Sequence, residues 1–92
     1  MEITRSCVVR CTAGREKGRL FMVVGIEEGG YALLADGRSR KLENPKKKKF
    51  KHVSYHAQSD PRIREKLLEG EHITNAALRR MLSDMEERRE ET

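Results

Sequence analysis

A chain of 92 residues, 36% apolar and 38% charged, can bury one small core and little beyond it. Two Phe, two Tyr and no Trp leave too few apolar walls for a large ligand cavity. The net charge of +5 points to a polyanionic partner, and no stretch approaches the roughly 20 apolar residues of a membrane helix.

The charge is unevenly divided. Residues 1–58 hold thirteen Lys/Arg against six Asp/Glu, a net +7, whereas residues 59–92 hold seven against nine, a net −2. The first segment therefore carries the nucleic-acid expectation, and the second does not share it. Glu2 and Arg5 interrupt any apolar run at the start, so no signal peptide is expected and the chain reads as cytoplasmic. Cys7 and Cys11 fall on one expected strand, about 13 Å apart at ~3.3 Å per residue, beyond the roughly 7 Å that a disulfide spans. Two free thiols facing a core fit a reducing compartment.

Alternation begins near Ile3 and puts Cys7, Val9 and Cys11 on one face of a first strand, with Val8 and Arg10 on the other. Thr12-Ala13-Gly14 ends that strand, and Gly18 closes a loop before a second strand over 20–26, apolar on both faces. Glu27-Glu28-Gly29-Gly30 marks a turn, residues 31–35 a third strand, and Asp36-Gly37 a second turn. Residues 38–42 read as a short fourth strand that Pro45 stops, residues 46–49 as an exposed cationic run, and Phe50, either His52 or Val53, and Tyr55 as the last strand. About five short strands with tight turns predict a small barrel, because closure removes exposed edges.

Beyond Gln58 the period changes. Asp60 is a good N-cap with Pro61 at the first helical position; Ile63, Leu67 and Leu68 line one face, and Gly70 is a natural stop. Thr74 caps a second helix, with Ile73 set to staple onto Leu78. Leu78, Met81, Leu82 and Met85 then recur at helical spacing, and the charged tail over 86–92 is expected to fray. The chain thus divides into a β segment over 1–58 and a helical extension over 59–92, which is expected to pack within the chain.

Strand, small residue, then Ala13-Gly14-Arg15-Glu16-Lys17-Gly18-Arg19 and a second strand resemble a KOW motif. Together with Leu34-Ala35-Asp36-Gly37-Arg38 and Arg40-Lys41-Leu42-Glu43-Asn44-Pro45-Lys46, the pattern resembles bacterial KOW-domain RNA-binding proteins. These are small relatives of KOW-type large-subunit ribosomal proteins of archaea and eukaryotes. The resemblance covers about two thirds of the chain and implies an SH3-like barrel that binds RNA, ribosomal RNA above all, in a ribosomal setting that could include ribosomal proteins. One departure is Ser6, where many such motifs have Gly, so the first turn is expected to differ. The helical extension lies outside the motif.

Two basic segments carry the chemistry. In the first, Arg15, Lys17 and Arg19 flank glycines that let backbone N–H groups approach phosphates, while Glu16 reads as an internal partner for a neighbouring cation. The second comprises Arg38, Arg40, Lys41, Lys46, Lys47, Lys48, Lys49, Lys51 and His52; the arginines are better shaped than the lysines to fork onto a phosphate or base edge. Phe21 and Tyr31 read as core residues, and Tyr55, near His52 and His56, as the better candidate for stacking on bases. Cys7, Cys11, His52 and His56 could in principle ligate zinc, but strand residues four apart lie too far from each other to share one tetrahedral ion without a bend. No nucleophile–base arrangement, phosphate loop or paired-carboxylate cleft is evident, so a non-enzyme without cofactor, metal or small-molecule substrate is expected. The competing expectation is a protein-interaction module of a transcription or translation complex, using the barrel and the amphipathic second helix. An RNA binder should gather both basic segments on one face.

Overall fold

A computed structural model describes residues 2–90, the side chains of residues 89 and 90 excepted. Strands β1 (Cys7–Cys11), β2 (Leu20–Glu27), β3 (Tyr31–Ala35), β4 (Lys46–Lys49) and β5 (Val53–Gln58) form one antiparallel sheet in the order β4-β3-β2-β1-β5. A single 3₁₀ turn, Phe50–His52, joins β4 to β5, and helices α1 (Pro61–Leu68) and α2 (Asn75–Glu90) follow. The chain is thus mainly β with two helices at its C-terminal end, as its periodicities predict.

That short connection between the two edge strands dictates the shape of the sheet. In a flat five-stranded sheet β4 and β5 would stand about 19 Å apart, at ~4.8 Å per spacing. The chain from Lys49 to Val53 can span at most about 14 Å, and here it is coiled into a 3₁₀ turn. The sheet must therefore curl until its edges approach each other. No ladder joins those edges among the described residues. The segment over 12–19 stands in the gap instead: the Thr12 N–H donates to the His52 carbonyl at 2.9 Å on one side, and the Lys48 ammonium donates to the Ala13 carbonyl at 3.0 Å on the other.

Curling gives the sheet two buried faces, which explains why β2 is apolar on both. Inside, Cys7, Val9, Cys11, Phe21, Val23, Ala32, Leu34 and Val53 form one core cluster, with Ile3, Phe50 and Tyr55 packed around it. Outside, Val8, Leu20, Met22 and Ala35 pack against Leu78, Met81 and Leu82 of α2. Ile63 and Leu67 of α1, together with Ile73 and Met85, border this second cluster, so the helical extension shares a core with the sheet. Leu78 is fully buried there; a leucine so placed is worth about 1.5–3 kcal/mol relative to exposure.

The helix signals act as the sequence predicts. The Asp60 carboxylate accepts from the Arg62 N–H at 2.9 Å, and the Thr74 hydroxyl accepts from the Ala77 N–H at 3.0 Å. After Glu69, Gly70 takes a φ of +75° while the N–H of Glu71 reaches back to the Lys66 carbonyl at 2.8 Å, which ends α1 as a left-handed cap.

Five expectations are corrected. The first strand begins at Cys7, not near Ile3, because Thr4 to Ser6 turn: the Cys7 N–H donates to the Thr4 carbonyl and Ser6 adopts a φ of +79°. Residues 38–42 are a loop and not a strand, for the Asp36 carboxylate accepts from the backbone N–H groups of Arg38 and Arg40 and folds the chain back. The fourth strand is the lysine run itself, pairing Lys46 with Leu34 and Lys49 with Tyr31. Leu68 is 53% exposed and leaves the apolar face of α1. Finally, the last strand begins at Val53, because Phe50 and His52 belong to the 3₁₀ turn. Helix α2 runs through Glu90 and so takes in the start of the charged tail over 86–92. The end of that expected tail, residues 91 and 92, lies outside the described residues, as does Met1 of the β segment.

Candidate nucleic-acid interface

Two glycines shape the loop between β1 and β2. Gly14 and Gly18 have φ of +83° and +89°, the left-handed region that L side chains avoid. At Gly14 a Cβ would also stand 2.9 Å from the Lys48 ammonium. Between them the chain turns tightly, with the Lys17 N–H donating to the Gly14 carbonyl and the Arg19 N–H to that of Glu16.

This turn drives Glu16 inward. Its side chain is 10% exposed and lies 3.2 Å from the Arg40 guanidinium, 3.7 Å from the Lys48 ammonium and 3.8 Å from that of Lys46. Burial would raise the pKa of this carboxyl, but the Arg40 hydrogen bond and the charges of Lys46, Arg40 and Lys48 outweigh it and hold it below its ordinary value. Glu16 is thus the internal counter-ion the sequence suggests, and it serves three cations rather than one.

A second carboxylate ties the same two segments together. Asp36, its side chain 8% exposed, pairs with the Arg19 guanidinium at 2.9 Å and accepts from the Ser39 hydroxyl at 3.1 Å. Arg19 itself donates to the Ser39 oxygen and lies over the Phe21 ring, 5.7 Å from its centroid. The 12–19 and 36–46 segments, apart in sequence, are therefore held side by side by Glu16 and Asp36.

Alternation along β4 sorts the lysines. Lys46 and Lys48 share a face with Leu34 and Ala32, their register partners, and send their ammonium groups to Glu16. Lys47 and Lys49 point the other way and are exposed. Lys47 pairs with Glu27 at 3.2 Å and lies over the Tyr31 ring, 4.5 Å from its centroid. Tyr31 is consequently a half-buried surface residue and not part of the core, whereas Phe21 is buried as expected and Tyr55 packs partly against the inner core.

Six of the sequence-selected cations, Arg15, Lys17, Arg38, Lys41, Lys49 and Lys51, have exposed side chains that form no ion pair or hydrogen bond among the described residues. Arg19, Arg40, Lys46, Lys47 and Lys48 are engaged internally. His52, half-buried in the 3₁₀ turn, joins the site through its carbonyl.

Sequence reasoning misses one contributor. Arg79 of α2 donates to the Gly37 carbonyl at 2.7 Å, and Gly37 sits so close to the helix that a Cβ there would lie 2.3 Å from the Asn75 carbonyl oxygen. The side chain of Asn75 accepts from the Leu42 N–H and donates to Glu43, so the first turn of α2 anchors the loop over 36–45. Nothing in a helical heptad marks Arg79 for this; only the close approach allowed by Gly37 could have hinted at it. Elsewhere, Arg10 joins β1 to α2 through Glu86 at 2.9 Å and also donates to the Gly18 carbonyl.

Both cysteines are free and buried, and burial raises both thiol pKa values; for Cys11 the nearby Lys48 charge offsets part of that rise. Among the described residues no helix is long and apolar enough to cross a membrane. Compared with known proteins, the chain matches no family model and no curated sequence.

Proposed function

We propose that this chain is a non-catalytic RNA-binding protein, an SH3-like KOW barrel that binds ribosomal RNA or a ribosome-associated RNA in the cytoplasm. The observation that carries the reading is the joining of two basic segments by buried Glu16 and Asp36, with Arg15, Lys17, Arg38, Lys41, Lys49 and Lys51 of those segments and their surroundings exposed and unpaired among the described residues. Uncompensated cations, three of them (Arg15, Lys17 and Arg38) beside left-handed glycines, suit a phosphate backbone, where the side chains neutralise charge and the backbone can come close. The paired arginines and lysines build the platform; the six others make the contact.

Titration of a structured ribosomal RNA fragment at increasing salt tests this. With about six phosphates neutralised, log K should fall against log salt with a slope of about −4 to −5. A slope near zero overturns the proposal.

A protein-interaction role draws on a different feature, the open groove of about 320 Å³ between α1 and α2, floored by Ile63, Ile73 and Met81. Under that reading neutralising Arg15 and Lys17 leaves partner binding intact, whereas RNA binding requires them.

A further inference from the structure

A second groove, of about 410 Å³, runs between α2 and the two loops that Asp36 and Glu16 hold together. Gly18, Arg19 and Arg38 form its loop side, Arg79 and Ser83 its helix side, and Leu20 and Leu82 its floor. It is continuous with the cationic surface, since Arg38 belongs to both. Its acids are already engaged: Asp36 pairs with Arg19, and Glu86 at the far end pairs with Arg10. Its remaining cations are not. Arg38 forms no side-chain ion pair among the described residues, and the only partner of the Arg79 guanidinium there is a neutral carbonyl, which orients it without cancelling its charge.

We infer that this groove takes one unpaired nucleotide of the bound RNA. The phosphate would lie between Arg38 and Arg79, and the base against a guanidinium plane and the Leu20–Leu82 floor. The inference rests on the RNA-binding reading and extends it to α2. Three features favour this occupant. The volume is of small-ligand size. Two uncompensated guanidinium groups lining one groove with Leu20 and Leu82 match a charged backbone carrying a stackable base. An intact duplex presents no splayed base, so the groove would add a preference for bulged or single-stranded sites to a surface that otherwise reads only backbone.

The test compares a fully paired RNA duplex with the same duplex carrying a three-nucleotide bulge. The wild-type protein should bind the bulged RNA about tenfold more tightly. Arg79→Gln and Ser83→Glu should each bring that ratio to about one; Ser83 is exposed, so its variant keeps the fold even if loss of the Gly37 contact lowers the melting temperature of R79Q. Equal binding of the two RNAs by wild type, with the steep salt slope retained, overturns the groove and leaves the RNA-binding reading standing. An unaltered ratio in both variants does the same. Failure of wild type to bind either RNA overturns both.

Discussion

The loop over 12–19 and the strand β4 are the two most basic stretches of the first half, and they use their charge in opposite ways. The loop sends its one acid inward and leaves Arg15 and Lys17 in solvent. The strand, four lysines in a row, turns Lys46 and Lys48 toward that same acid and ties Lys47 to Glu27 and Tyr31, so that Lys49 alone is uncommitted among the described residues. The stretch with fewer cations therefore offers more usable charge than the one with more. A run of lysines in a sequence is not a charged surface until the strand period and the nearest carboxylates have been counted.

The largest effect should come from removing the group on which the two stretches meet. Glu16→Gln leaves Arg40, Lys46 and Lys48 facing one another around a buried amide, and should cost about 2–3 kcal/mol in urea unfolding. The same residue sets an acid limb. Its folded pKa lies below the ordinary 4.5, so the stabilisation it supplies is present above that value and is lost as pH falls through the folded value. As pH falls below about 4.5 the wild type should lose stability that E16Q never had, and parallel pH curves for the two proteins would show that the cluster contributes nothing.

Smaller, and aimed at the partition itself, is a comparison of two double variants. Arg15→Ala with Lys17→Ala should weaken RNA binding about tenfold and make the salt slope shallower by about 1.5, with the melting temperature unchanged. Lys46→Met with Lys48→Met keeps the apolar stems and should lower the melting temperature while leaving the slope unaltered. If the second pair flattens the slope as much as the first, the internal and external cations are not distinct.

The smallest effect serves as a control away from both stretches. Ser6 is buried at a φ of +79°, and Ser6→Gly should relieve that strain and gain about 0.5 kcal/mol in chemical denaturation, with RNA affinity unchanged. A loss of stability would mean that the serine side chain earns its place in the turn by packing.

Much of the frame was readable from local rules. Cys7, Val9 and Cys11 alternate with Val8, and both sets are buried because the curled sheet covers one face and α2 the other. The Asp60, Thr74 and Gly70 helix signals are local chemistry and act as written. The left-handed backbone of Ser6 was not legible, because L side chains rarely adopt it. The fourth strand was not legible. Residues 38–42 alternate as a strand should, but two backbone N–H groups prefer the Asp36 carboxylate; residues 46–49 show no alternation at all, because polarity is constant along them.

What the sequence determines by itself, then, is four of the five strands, the two-faced apolar pattern, the helix ends and the excess of positive charge in the first half. These depend on residues a few places apart. Which cations face solvent, that two loops lie side by side, and that Arg79 joins them was decided only by tertiary structure. Pairing of Glu16 with Lys46 requires the sheet to curl first, and that curl follows from a short connection between two edge strands; pairing of Asp36 with Arg19 requires the β2–β3 ladder to set its register. Charge is written locally in this chain, but its compensation is a long-range property.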